Sequence, residues 1–269
     1  MPEGPEVRKI VEQMRPFVLN KNLKEIKIHS GRYTKNSPDG LTWFQENLPL
    51  KLTHLDCKGK FIYFKFGDYS NIWNTLGLTG GWTNNLPEEH RRITFNFDDA
   101  DPIYFSDIRN FGTLKFVKSE DLLQKKLASL GTDILMEDMS DQLFRTKIKN
   151  RAHKTLPEIL MDQSVIAGIG NYIKAEALYI SKLSPHRKAG SLTDDQISLL
   201  NKAIHSVIRD SYNSGGSTFR TYMDFNGAVG NFTDKLMVYG KQQDPLGNMV
   251  VSQETKDKRT TWWVPRVQS

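Results

Sequence analysis

Apolar residues recur along this chain with two different periods, and the change falls near residue 120. Up to about residue 118 the alternation is mostly of period two. Residues 60–66 read KFIYFKF, 92–97 RITFNF, 102–106 PIYFS and 113–117 TLKFV, each bounded by Gly, Asn or Asp. Short strands so spaced predict a sandwich or flattened barrel. Ahead of them Val7, Ile10, Val11 and Met14 follow a helical stripe, with Pro5 suited to a first helical position and Glu6 to the positive end of the dipole. From Glu120 the period becomes helical. Leu122, Leu123 and Leu127 open a charged connecting segment, and short helices are predicted over 155–161 and 171–181. A long helix is predicted over 193–212, with Thr193 and Gln196 as its capping box and Ile197, Leu200, Ile204 and Ile208 as its buried face. A glycine-rich loop, SGGSTFRTYMDFNGAVGNF, follows, and from Lys235 the alternation returns, as in a hairpin. The chain therefore reads as α+β without internal repeats: a β domain over 1–125, a linker over 126–150 and a helical domain over 151–269, whose last part (about 233–269) is the hairpin.

A length of 269 residues with 38% hydrophobic positions allows a substantial core in each of two domains. Apolar runs such as 61–66 are too short to span a membrane, and an acidic, proline-bearing start resembles neither a signal nor a transit peptide, so a soluble intracellular protein is expected. The formal charge of +6, from 37 Lys and Arg against 31 acids, suits a basic soluble protein as well as a nucleic-acid binder. Cys57 is the one cysteine, which excludes an intramolecular disulfide and a cysteine-rich zinc site. The six histidines are scattered without HExxH spacing, so no metal site is expected.

Two stretches resist a purely structural explanation. The chain opens MPEGPE, and Pro2 and Glu3 precede the first helix and are expected to contribute nothing to it. The stretch AGIGNYIKAE lacks the third glycine of a dinucleotide fingerprint and follows a helix where that fingerprint needs a strand. It reads instead as two short helices joined by a tight turn, with Asn171 and bare amides opening the second, a start suited to phosphate.

PEGPE, Gly59–Lys60 before a strand, GLTGGW, DIRNFG, GIGNYIKAEAL and KRTTWW occur in the order found in formamidopyrimidine-DNA glycosylases and endonuclease VIII proteins, and by these motifs the chain resembles that family. The resemblance implies a β-sandwich with a leading helix, then a helix-two-turn-helix domain ending in a β-hairpin finger. Its partner would be double-stranded DNA bearing oxidised bases or abasic sites, bound by a monomer wherever DNA is kept: nucleus, cytoplasm or virus factory. Most bacterial relatives carry four zinc cysteines in the finger. Here the matching segments read QDPLGN and WWVPRVQ, with Leu246, Val264 and Val267 near the ligand positions. The chain thus resembles the zincless-finger, endonuclease VIII-like branch, with no zinc or other cofactor expected and Trp262 and Trp263 offered as hairpin packing.

The resemblance also assigns roles. Removal of Met1 would leave Pro2 as a secondary amine, the expected nucleophile; an α-amino group titrates near 8 where a lysine titrates near 10.4, so it needs no dedicated base. Glu3, beside it, would move protons. Glu6 and Glu176 match carboxylates that orient the sugar and the amine, although each also has an explanation as a helix acid. Lys60, Asn171 and Arg259 match phosphate grips. Leu78, Arg109 and Phe111 match the residues that fill the hole left by an extruded base, with Asn110 replacing a second arginine of that motif; ordinary sandwich core is the alternative for Leu78 and Phe111. Oxidised pyrimidines and hydantoins are the expected substrates. The glycine-rich loop 215–232 resembles one that folds over 8-oxoguanine and keeps formamidopyrimidines and 8-oxoguanine as the alternative. A non-catalytic lesion binder is the rival from another class, and a dehydrogenase built on the GIG turn a distant third.

Overall fold

A computed structural model of the chain describes residues 2–68, 70–216, 224–228 and 230–269, with Glu89 described by its backbone alone. Two compact units result: Met1–Ser129 with Gly215–Asn231, and Leu130–Ser214 with Phe232–Ser269.

In the first unit the stripe Val7, Ile10, Val11 and Met14 is fully buried on α1 (Gly4–Val18). It is followed by β1 (Asn22–Ile28), α2 (Leu41–Glu46), β2 (Leu50–Lys58), β3 (Phe61–Phe66), β4 (Ser70–Thr75), β5 (Gly80–Thr83), β6 (Ile93–Phe97), β7 (Ile103–Asp107), β8 (Thr113–Lys118) and α3 (Glu120–Ser129). The strands pair antiparallel in the order β5-β7-β6-β1-β2-β3-β4-β8, and only Asn22↔Lys51 and Leu23↔Leu50 join β1 to β2. That narrow join lets the sheet fold over. Phe64 of β3 meets Trp82 of β5 at 5.6 Å and Phe95 of β6 at 6.0 Å between ring centroids, so the two halves form a β-sandwich. Strands β2 and β4 hide from a period-two reading for different reasons. The ladder of β2 shifts between Leu52 and His54, whereas β4 buries the polar side chains Asn71 and Asn74. Asn74 is satisfied there: it donates to the Thr113 carbonyl at 2.8 Å and accepts from the Trp82 indole at 3.0 Å.

The glycine-rich loop groups with the first unit and not with the helical domain that a single cut over 151–269 gives it to. Phe225 is fully buried in the sandwich core, 5.1 Å from the Phe17 ring. Gln13 of α1 donates to the Asp224 carboxylate at 2.6 Å and accepts from the Phe225 amide at 3.0 Å.

The second unit contains β9 (Thr132–Asp133), α4 (Asp141–Lys149), α5 (Leu156–Leu160), β10 (Ile166–Ala167), α6 (Asn171–Ile180), α7 (Asp194–Asn213) and the hairpin β11 (Val251–Glu254) and β12 (Thr260–Trp263). The segment 126–150 is therefore structured where a linker is expected: Phe144 and Ile148 of α4 are buried, and Asp141 accepts hydrogen bonds from Ser198 and Asn201 of α7. Helix α7 shows the expected box, Thr193 N–H to Gln196 Oε1 at 3.0 Å and Gln196 N–H to Thr193 Oγ1 at 3.2 Å. Its apolar face is buried as expected.

The hairpin is held partly by apolar packing and partly by a carboxylate. Val264 is fully buried with Ala175, Tyr179 and Val238, while Trp262 and Val267 pack on this cluster and the Trp262 ring lies 4.4 Å from that of Tyr239. Leu246, by contrast, is 80% exposed. Its turn is organised by Asp244, which accepts from the Leu246 and Asn248 amides, the Asn248 side chain and the Tyr179 hydroxyl at 2.7–3.1 Å. Burial pushes the Asp244 carboxyl up, but these donors, led by Asn248, outweigh it and hold it below the ordinary range.

Candidate functional site

The start of α1 gathers Pro2, Glu3 and Glu6, all buried. Contrary to the expectation that it lies outside the helix's structure, Glu3 is the N-cap residue of α1, because the helix begins at Gly4, and its amide donates to Glu6 Oε2 at 2.8 Å. Glu6 thereby satisfies one of the helix's orphan donors. The same carboxylate closes the base of the glycine-rich loop: a Cβ on Gly216, at φ +90°, would lie 3.0 Å from Glu6 Cγ, and one on Gly230 would lie 2.3 Å from the Gly216 carbonyl oxygen. Only glycines allow the loop ends so close to Glu6. Met1 and residues 217–223 and 229 of that loop lie outside the described residues.

One turn further on, Arg8 is 3% exposed and reaches across to β2, meeting Asp56 Oδ1 at 2.5 Å and the Cys57 carbonyl at 2.6 Å. It ties the helix to the strand that runs into Gly59–Lys60. These two residues form the tight turn between β2 and β3, with Lys58 paired to Phe61 and Gly59 at φ +56°. A positive φ at the first central position is what glycine supplies in a hairpin turn.

Leu78, Arg109 and Phe111 come from two loops, β4–β5 and β7–β8, that abut. A Cβ on Gly77, at φ +62°, would stand 2.6 Å from the Phe111 carbonyl carbon. Asp107, 2% exposed, joins them by accepting from the Thr79 hydroxyl and the Gly112 amide, each at 2.6 Å, and the Arg109 amide donates to Thr79 Oγ1 at 3.0 Å. Phe111 is 53% exposed, which removes it from the sandwich core, and the Arg109 guanidinium lies 5.1 Å from its ring centre. Leu78 is half-buried at the adjoining turn. Asp107, which begins DIRNFG, carries no expectation from the sequence; its place at the end of a strand before a turn is the local signal that marks it.

Within the second unit Asn171 opens α6, and its Nδ2 donates to the Thr260 carbonyl at 2.8 Å, one residue beyond Arg259. Its Oδ1 is buried and accepts no hydrogen bond from the described residues. Arg259 is exposed in the turn between β11 and β12. Glu176, 1% exposed on the same helix, accepts the amides of Met237, Val238 and Tyr239 at 2.8–3.0 Å. Burial pushes its carboxyl above the ordinary value despite those three donors. Its observed work is to hold the segment that leads into the finger.

The comparisons with known proteins agree with this architecture. The formamidopyrimidine-DNA glycosylase N-terminal domain model matches residues 1–114, its H2TH domain residues 130–223 and its C-terminal domain residues 230–269. Formamidopyrimidine-DNA glycosylase of Bacillus cereus is 30% identical over 91% of this chain and 90% of its own length. That of Mycoplasma mobile is 31% identical over 92% and 91%. Among solved structures, the MutM (Fpg) protein of Thermus thermophilus superposes with a TM-score of 0.87 at 29% identity, covering 99% of this chain and 98% of that one. The Lactococcus lactis Fpg mutant in complex with DNA containing Fapy-dG gives 0.87 at 25% identity, covering 99% of each. With matching models along nearly its whole length and relatives at this identity and coverage, the chain belongs to the formamidopyrimidine-DNA glycosylase and endonuclease VIII family.

Proposed function

We propose that this protein is a DNA glycosylase and abasic-site lyase of base excision repair, acting through Pro2. The observation that carries the reading is the buried pair Pro2–Glu3 at the head of α1, its backbone pinned by Glu6, in a chain of this family. The amine attacks the sugar C1′ of a damaged nucleotide and the base departs. Glu3 gives a proton to the ring oxygen as the sugar opens, leaving C1′ joined to nitrogen as an iminium. A secondary amine gives an iminium with no N–H proton to lose, so the cation stays an electron sink. It acidifies the C2′ hydrogen, and the 3′ and then the 5′ phosphate are eliminated. Water then releases the sugar remnant and restores the amine. Lys60, Asn171 and Arg259 grip phosphates, and Leu78, Arg109 and Phe111 occupy the space of the extruded base. The exposure of Phe111 beside a guanidinium fits that last role, because a planar apolar ring and a planar cation both replace lost stacking.

Oxidised pyrimidines and hydantoins are the proposed substrates. The second reading, formamidopyrimidines and 8-oxoguanine, draws on the relatives named for the former. A panel of single-lesion duplexes separates the two by relative excision rate.

The chemistry is tested by borohydride reduction during turnover on an abasic duplex. A protein whose intact mass corresponds to a chain starting at Pro2 is expected to be trapped as a covalent adduct, Glu3→Gln to lose base excision, and Pro2→Gly to keep part of the activity through a primary amine. Failure of such a preparation to form an adduct or to nick the abasic strand would leave the non-catalytic binder as the better account.

A further inference from the structure

Arg259 stands in an exposed turn, and an exposed arginine on a short connection has no reason of its own to keep one direction. The inside of that turn is built on charge. Asp257, its side chain 4% exposed, meets the ammonium of Lys174, whose side chain is fully buried on α6, at 2.7 Å. The other carboxylate oxygen accepts the Thr255 hydroxyl at 2.5 Å, and that hydroxyl lies 2.7 Å from Thr261 Oγ1 on the returning strand. The Thr255 amide donates to the Arg259 carbonyl at 3.1 Å and the Lys258 amide to the Thr255 carbonyl at 2.8 Å, while Lys258 reverses the chain at φ +57°. On the far side of the arginine, Asn171 holds the Thr260 carbonyl at 2.8 Å. Asn171 and Lys174 are three apart and lie on one face of the helix. The backbone of Arg259 is thus bracketed from a single rigid element, two residues before by Lys174 through Asp257 and one residue after by Asn171.

We propose that Lys174 and Asp257 are positioning residues for Arg259, their buried ion pair fixing the turn so that the guanidinium is presented in one direction to a DNA phosphate. This rests on the phosphate-gripping role given to Arg259 above. An ion pair buried this deeply adds little net stability over an apolar pair of the same volume, whereas loss of one partner strands the other charge. What the charges supply is direction: in this arrangement of the turn one carboxylate oxygen meets the Lys174 ammonium and the other the Thr255 hydroxyl.

A double-mutant cycle on the full chain separates positioning from bulk stability. The readout is affinity for a duplex containing one tetrahydrofuran abasic analogue, with thermal midpoints and amide exchange of the free protein measured alongside. Asp257→Asn is expected to weaken binding by about tenfold in the unmodified background and by less than about twofold once Arg259→Ala is present, because its effect passes through the arginine. Lys174→Met is expected to repeat this non-additivity and, without DNA, to speed exchange at the Thr255 and Lys258 amides. Equal losses in both backgrounds, or undiminished binding by Asp257→Asn and Lys174→Met, would overturn the proposal. Unchanged exchange in Lys174→Met would overturn the bracket alone. An Arg259→Ala protein that binds as well as its parent would instead remove the phosphate role on which the proposal rests.

Discussion

Gly77 shows how much a single residue decides here. Its φ of +62° and the 2.6 Å that would separate a Cβ from the Phe111 carbonyl carbon leave no room for a side chain, and the obstacle is backbone, which cannot rotate away. Gly77→Ala is therefore expected to push the Leu78 loop from the Arg109–Phe111 loop. The strain is on the order of 1–3 kcal/mol, felt as a lower thermal midpoint and as roughly tenfold weaker binding of lesion duplex by fluorescence anisotropy. An alanine variant with unchanged affinity would mean that the two loops act independently. At the same scale Glu6 illustrates a residue with two sufficient explanations. Its capping of the Glu3 amide and its contact with Gly216 are visible, so a loss of activity on its replacement needs a parallel stability measurement before a chemical role is assigned.

At the scale of elements the finger stands out, because its first turn is held by a carboxylate. The folded Asp244 carboxyl titrates below its ordinary 3.8. A depressed folded value stabilises the native state above the unfolded pKa, and that contribution is lost as pH falls through the folded value. Asp244→Asn is expected to lower the thermal midpoint at neutral pH and to show a shallower loss of stability than the parent as pH falls below the ordinary carboxylate value of 3.8. Parallel curves for the two proteins would show that the turn does not depend on the ionised carboxylate. Periodicity made α1, α7 and strands β3, β6, β7 and β8 legible, since each presents one apolar face to one core. It missed β1, β2 and β5, and β4, where buried asparagines take apolar positions, and it missed Asp244, because a turn aspartate looks alike whether it serves solvent or three local donors and a distant tyrosine.

For the molecule as a whole the finger's composition leads to a direct expectation. Among the described residues no group of three or more His, Cys, Asp or Glu is arranged to hold a metal ion. Prolonged dialysis against a strong chelator is expected to leave both the thermal midpoint and the nicking rate unaltered, whereas a protein folded around structural zinc would lose its finger. Reversible loss of activity restored by zinc would contradict this. Taken by itself, the order of residues determined the helical stripes of α1 and α7, strands β3, β6, β7 and β8 with the terminal hairpin, and the family motifs, because these depend on spacing along one segment and on side-chain chemistry that needs no partner. Three things were decided only in the folded chain. The glycine-rich loop was claimed by the sandwich through Phe225, Asp107 was placed to join two loops, and Lys174 and Asp257 were paired beneath Arg259. Each joins residues distant in sequence, and a single buried contact of that kind leaves no periodic trace along the chain.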